Sequence, residues 1–434
     1  MISSVNNLSI TLQEYGEAEE VELTPEQHTY IKEKINTTDE KLGLEYIRDN
    51  IYKISAKQYV GSIKIPDGYQ IIIEPKINLN FINMLGYTLN IDNLELFQTT
   101  HISRGDNLVD LLAKFYIESV SKIIAEGIYR SYVTQVEQIS GVKGRLLLTQ
   151  NIRGSHITNE KFWCEFDQIS ANVLENQIIL FCAKIFLEFV ESQEVKDKLQ
   201  NIIFQFQKEG VEETWIESFQ IDQISFQKMN LHYVEIIELC DFILQLIWYD
   251  QFSGDGKHRA YGLLCDMNRL FETFIFKICK EVYEKEFDVE AQPPDFRLLE
   301  PTKTNYAQFN ADYVGLKGKL EPDIVFFKKR TREAEFVLEV KYKKDKKLNA
   351  GNFYQALAYT LSLKCPVMLF LPIFEHKKMG DFKVKPLPEH LHNISVRTID
   401  FSPHENYIDT MKMRIRKEIE ETFPQLVSTR INDQ

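Results

Sequence analysis

A chain of 434 residues, 44% hydrophobic and 26% charged, has the make-up of a globular protein of two or three domains. It contains no run near the roughly 18 apolar residues of a membrane span, and Met1-Ile2-Ser3-Ser4-Val5 lacks the basic head and apolar run of a secretory leader, so a cytoplasmic protein without membrane contact is expected. A net charge of −13 excludes indiscriminate nucleic-acid binding by the whole surface; a polyanion site would have to concentrate positive charge locally.

Residues 1–100 read as mostly strand. Ile51–Ile54, Tyr59–Ile65 and Tyr69–Ile73 are β-rich runs separated by turn signals such as Pro66-Asp67-Gly68, and a small barrel or curled sheet would close them. A short helix is expected near Phe81–Tyr87. From Leu108 the period changes: apolar residues at 108, 111, 112, 115, 119, 120, 123 and 124 mark one helical face, with Asp106 or Asn107 to cap it and Gly127 to end it. Tyr129–Ile139 then reads as extended, followed by Gly141-Val142-Lys143-Gly144-Arg145, a second extended run to Thr149 and a return strand at Phe162–Phe166. Helices are expected from Ser170, at 193–208 and at 231–249. Ser253-Gly254-Asp255-Gly256-Lys257 is the clearest linker.

Beyond it, Leu264, Met267, Phe271, Phe274, Ile275, Ile278 and Val282 form a helical stripe with Glu272 at its edge. A strand near Phe287–Ala291, a hairpin at 321–341, a helix at Asn352–Leu363, a buried-type strand at Val367–Leu371 and a charged amphipathic helix at Tyr407–Thr422 complete the chain. The fold class is therefore α+β and multidomain: a β-rich domain over 1–100, a helical domain over 101–252 with a protruding hairpin at 130–168, and an α/β core over 258–434. The six cysteines have no metal-ligand spacing and read as reduced core thiols. His390 and His392 would share a face of a strand or sit in a solvated loop.

The chemistry concentrates in Glu321-Pro322-Asp323-Ile324-Val325 and Leu338-Glu339-Val340-Lys341. Alternation puts Glu339 and Lys341 on one face of a strand, and pairing across the turn Lys328–Glu333 brings Asp323 near Glu339. Two carboxylates in a mostly apolar setting repel, and a divalent cation relieves the repulsion. Mg²⁺ suits such a set, with Mn²⁺ as the alternative, and would activate water against a phosphodiester. Glu272 is a further ligand candidate. Lys341 would orient or help deprotonate that water and stabilise charge on the phosphate. Residues 321–350 also carry nine Lys/Arg against six Asp/Glu. Glu-x-Lys alone is common, as in Glu74-Pro75-Lys76; the competing reading is a salt-bridged strand pair neutralised by Lys341. Gln355 and Tyr359, one helical turn apart, share a face and could hydrogen-bond DNA phosphates or the metal's water shell, unless Gln355 is merely solvated.

This set resembles the PD-(D/E)xK nuclease superfamily. Asp323 matches its first acid, Glu339 its second, Lys341 its lysine, Gln355 and Tyr359 the QxxxY helix of one branch, and Asn268–Glu272 the preceding helix. In order along the chain, Ile73-Glu74-Pro75-Lys76-Ile77, Asn83–Tyr87, Gly144-Arg145, Asn268–Glu272, Pro322-Asp323, Glu339–Lys343 and Gln355–Tyr359 resemble the McrC family. The resemblance implies the endonuclease subunit of a modification-dependent restriction system, acting on modified double-stranded DNA with a hexameric AAA+ GTPase of the McrB type. That partner would be engaged by the N-terminal part, while the C-terminal domain cuts. The chain lacks a Walker A loop, so it should bind no nucleotide alone. Segment 130–168, with Arg145 and Arg153, is the candidate partner contact; an ordinary surface hairpin is the other reading. The competing function is a non-catalytic adaptor that activates an AAA+ ring.

Overall fold

A computed structural model describes residues 9–37, 39–75, 81–88, 107–153, 161–250, 259–294, 296–297, 319–342, 348–373, 380–383, 393–401 and 406–424. The chain divides into two compact units, one of residues 1–74 and 96–265, the other of 75–95 and 266–434.

The first unit opens with β1 (Ser9–Gln13), β2 (Glu19–Glu22), α1 (Pro25–Tyr30), β3 (Leu42–Arg48), β4 (Ile51–Ala56), β5 (Tyr59–Ile65) and β6 (Tyr69–Glu74). Thr24 and Gln27 cap α1 reciprocally, with Pro25 at its first position. Strands β2, β4 and β3 form an antiparallel sheet, while β1 runs parallel to β6, which pairs with β5. Leu12, Leu23, Ile31, Ile54, Ile63 and Ile71 fill one core between them.

The helix α2 (Phe81–Thr88) belongs to the second unit. The first unit resumes at α3 (Leu108–Glu126), capped by Asn107, whose Oδ1 accepts the Asp110 N–H at 2.8 Å. Next come β7 (Ser131–Ser140), β8 (Arg145–Leu146), α4 (Leu148–Arg153) and β9 (Lys161–Ser170), the strands ordered β7-β9-β8. The expected extended run to Thr149 is instead helical from Leu148. Asn151 explains the turn: its Nδ2 donates to the Leu147 and Trp163 carbonyls at 2.9 and 3.0 Å, and its Oδ1 accepts the Trp163 N–H at 2.8 Å. A side chain thus supplies the contacts that a longer β8 would have made.

Helices α5 (Leu174–Phe189), α6 (Gln193–Lys208) and α7 (Val234–Leu246) pack beside α3. The helix expected to reach 249 stops at Leu246, and β10 (Ile247–Asp250) pairs with β11 (Arg259–Asp266), which extends the β1-β6-β5 sheet. Trp248 is the reason: its ring meets Tyr59 edge to face at 6.0 Å, and the Lys41 ammonium sits 3.6 Å from its centroid. Gly61 allows β5 and β11 to meet, because a Cβ there would lie 2.0 Å from the Leu263 carbonyl oxygen. The glycine-rich stretch 253–257 lies outside the described residues, between two strands of one sheet, and the unit boundary falls at Cys265–Asp266.

The second unit is built on a six-stranded mixed sheet: β12 (Phe287–Ala291), β15 (Ile324–Lys328), β16 (Ala334–Val340), β17 (Val367–Ile373), β19 (Asn393–Asp400) and β18 (Asp381–Lys383), in that spatial order. A two-stranded ribbon, β13 (Phe296–Arg297) with β14 (Lys319–Leu320), accompanies it. β12, β15 and β16 pair antiparallel; β16, β17 and β19 run parallel. Alternation sorts the side chains. Val325, Val337, Leu369 and Val396 form a core with Tyr359 and Ala356 of α9 (Ala350–Leu363). Phe326 and Phe336, stacked at 4.0 Å, turn instead toward Tyr283 of α8 (Met267–Tyr283) and toward Phe423, just after α10 (Tyr407–Thr422). α2 packs on α8, its Tyr87 ring 5.8 Å from Phe274. The sequence did not announce β19; His390 and His392, just before it, lie outside the described residues. All six cysteines are buried core thiols, as expected.

Candidate active site

The register of the β15–β16 hairpin pairs Ile324 with Leu338, which sets Asp323 opposite Glu339. Asp323 Oδ2 accepts the Val340 N–H at 2.8 Å, and the Asp323 N–H donates to Glu339 Oε2 at 3.3 Å. Lys341 Nζ donates to Glu339 Oε1 at 2.5 Å. The Lys341 N–H continues the parallel pairing onto the Phe370 carbonyl at 2.8 Å, so the sheet fixes the backbone under all three groups. Glu339 is fully buried and Lys341 largely so. α8 contributes Glu272: Phe271 packs on Tyr342 with centroids 5.4 Å apart, locking the helix against the end of β16.

Electrostatics shows what this packing does. Burial, then the neighbouring charges of Glu339 and Glu272, push the Asp323 carboxyl up to about 8. Burial raises Glu339 as well, with Lys341 opposing. Burial pushes Glu272 to about 7, against the pull of Lys341. Lys341 is pulled down by burial, yet Glu339, Asp323 and Glu272 outweigh this and hold its ammonium above the usual range. Among the described residues, Lys341 is thus the cation that serves three carboxylates. A salt-bridged strand pair accounts for Glu339 and leaves Asp323 in excess.

The donor set suits a hard divalent ion, being carboxylate oxygens whose mutual repulsion a cation would relieve. Among the described residues, no three His, Cys, Asp or Glu side chains gather closely enough to form a metal cage by themselves. Mg²⁺ needs no such cage, since one or two carboxylates suffice when water and phosphate complete its shell.

Gln355 and Tyr359 do share a face of α9, but the tyrosine looks inward. Its buried hydroxyl donates to the Glu321 carbonyl at 2.9 Å and accepts from Gln355 Nε2 at 2.8 Å. The pair therefore holds the backbone leading to Asp323. Arg145 lies exposed on β8, 3.7 Å from Glu165, and Arg153 ends α4; both belong to the first unit, whereas the acids belong to the second. Sequence reasoning missed the Val340 N–H, a backbone donor that no side-chain pattern announces. Lys343 lies outside the described residues.

The described residues thus define a mixed α/β protein of several sheets whose second unit carries an acid–acid–lysine centre. A family model described as "McrBC 5-methylcytosine restriction system component" matches residues 54–371, and the chain belongs to that family, as its McrC-like motifs indicated. It is 22% identical over 274 residues to the Type IV methyl-directed restriction enzyme EcoKMcrBC of Escherichia coli, covering 60% of this chain and 74% of that protein. The fold is shared with a chain of the refined half-complex from a tetradecameric assembly of Thermococcus gammatolerans McrB AAA+ hexamers with bound McrC. The TM-score is 0.59 at 16% identity, over 94% of this chain and 99% of that one. Among the described residues, no helix is long and apolar enough to cross a membrane.

Proposed function

We propose that this chain is the DNA-cleaving subunit of an McrBC-like restriction complex, a metal-dependent endonuclease of the PD-(D/E)xK type. The observation that carries the reading is the buried Asp323–Glu339 pair, two carboxyl groups set side by side with a single lysine between them. Asp323 and Glu339, with Glu272 beside them, would hold Mg²⁺ or Mn²⁺. The ion would supply Lewis-acid polarisation of a phosphodiester and a more acidic bound water. Lys341, kept protonated by three carboxylates, acts as a fixed cation and hydrogen-bond donor to the phosphate rather than as a base. Gln355 and Tyr359 hold the Glu321 carbonyl and so keep Asp323 in place.

The partner reading rests on family membership and on the McrB hexamers with bound McrC in the assembly of similar fold. An AAA+ GTPase of the McrB type would be engaged through the β7–β9 ribbon, where Arg145, Tyr132, Leu148 and Ile152 are exposed. The test is reconstitution with that partner on modified double-stranded DNA. Asp323→Ala and Lys341→Ala should each abolish cleavage while partner binding and NTPase stimulation persist. Normal cutting by both variants would refute the site. A wild-type complex that stimulates the ring yet never cuts under Mg²⁺ or Mn²⁺ would establish the adaptor reading instead.

A further inference from the structure

The ribbon of β7 and β9 leaves the helical body at Tyr129 and rejoins it at Ala171, and one side chain spans both points. Asn176, fully buried in the first turn of α5, donates from Nδ2 to the Tyr129 carbonyl at 2.8 Å and to the Ala171 carbonyl at 2.7 Å. Its Oδ1 accepts the hydroxyl of the buried Tyr233 at 2.9 Å, and that hydroxyl accepts the Tyr129 N–H, also at 2.9 Å. The Tyr129 and Tyr233 rings meet edge to face at 6.0 Å. On either side, Glu175 accepts from Asn230 Nδ2 at 2.9 Å, and Gln177 Nε2 donates to Asn172 Oδ1 at 2.8 Å.

An asparagine is a poor choice for a buried helix position unless its polar atoms are all satisfied. Here both amide protons and the oxygen have partners, and two of those partners are the roots of the ribbon. Past the roots the ladder runs from Ser131 opposite Ser170 to Ser140 opposite Lys161 with most side chains half-buried or exposed. Little packing along its length fixes its direction, so the roots decide it.

We propose that Asn176, seconded by Tyr233, is the positioning residue that sets the direction of the ribbon relative to α5, so that a load on the ribbon passes into the helical body instead of being lost in a hinge at 129 and 171. The proposal rests on the reading of the ribbon as the partner contact.

The test uses the full chain with spin labels on cysteines placed at Val142 and Lys198, both exposed. Asn176→Ala and Asn176→Asp should broaden the label-to-label distance distribution about twofold, and Tyr233→Phe should broaden it less. Asn176→Asp keeps the volume and the acceptor but loses both donors, so it separates bridging from packing. With the McrB-type NTPase of the same organism, maximal stimulation should fall about tenfold while the chain concentration giving half of it stays unchanged. Narrow distributions in all three variants overturn the proposal, as do broad ones with full stimulation. Should Asn176→Ala fail to fold, Tyr233→Phe, which removes one oxygen, still decides. Replacing Leu148 and Ile152 without effect on stimulation would instead overturn the contact reading, and the distance measurement would stand apart from it.

Discussion

Asp323 shows most directly how packing makes chemistry. Its carboxyl is held at about 8 in the fold and would sit near 4 in the unfolded chain, so between about pH 4 and pH 8 the folded state keeps a proton that the unfolded state releases. Stability of the metal-free protein therefore falls as pH rises through that window. Asp323→Asn, which keeps an oxygen for the Val340 N–H, should raise the thermal midpoint in chelator more at pH 8 than at pH 5. An equal gain at both values would dismiss the raised proton affinity. Lys341→Met acts in the opposite sense. It leaves the fully buried Glu339 without its ammonium, at a cost of about 3 kcal/mol when that carboxylate is ionised. The loss should be smaller at pH 5 than at pH 8, because burial raises the proton affinity of Glu339 and a neutral carboxyl needs no ammonium; denaturant titration at the two pH values measures it. The sequence identified these three side chains by alternation and spacing, because a strand pair leaves few ways to place them. It could not reveal that Tyr359 faces inward, since a helical period places residues on a face without saying what covers that face.

At the scale of elements, the long periodic segments were legible. The helix Tyr407–Thr422 and the strand Phe287–Ala291 have the bounds their patterns suggest, and Asn107 and Gly127 bracket α3. Legibility failed where a distant contact outweighed local preference. Trp248 draws 247–250 out of a helix into a strand, and the Asn151 amide turns 148–153 into helix. The tie between α9 and the segment joining β14 to β15 is another tertiary decision, because the Tyr359 hydroxyl holds the Glu321 carbonyl across 38 positions of chain. Tyr359→Phe should cost about 1 kcal/mol of stability and should slow cleavage by loosening Asp323 without changing partner affinity. Full cleavage by a folded Tyr359→Phe protein would show that Asp323 needs no such support.

At the scale of the molecule, the second unit is discontinuous in sequence. Residues 75–95 belong with 266–434, and Tyr87 ties them in: its ring lies against Phe274, its hydroxyl binds Glu281, and Glu281 also holds Lys412 at 2.6 Å. A fragment of residues 258–434, cut at the apparent linker, would expose the face of α8 that α2 covers. It should be less stable than the same unit with 75–95 supplied in trans, as seen by calorimetry. Equal stability of the two preparations would mean that α2 is dispensable there.

The amino-acid sequence alone determined the mixed α/β class, most helices and the acid–acid–lysine triplet, since these depend on period, capping and alternation within short windows. Tertiary structure alone decided that β10 and β11 complete an N-terminal sheet, that 75–95 joins the second unit, and that Asn176 bridges the two roots of the ribbon. Each of these turns on contacts between residues far apart in the chain, and their free energies exceed the few tenths of a kcal/mol per residue, roughly, that separate one local conformation from another.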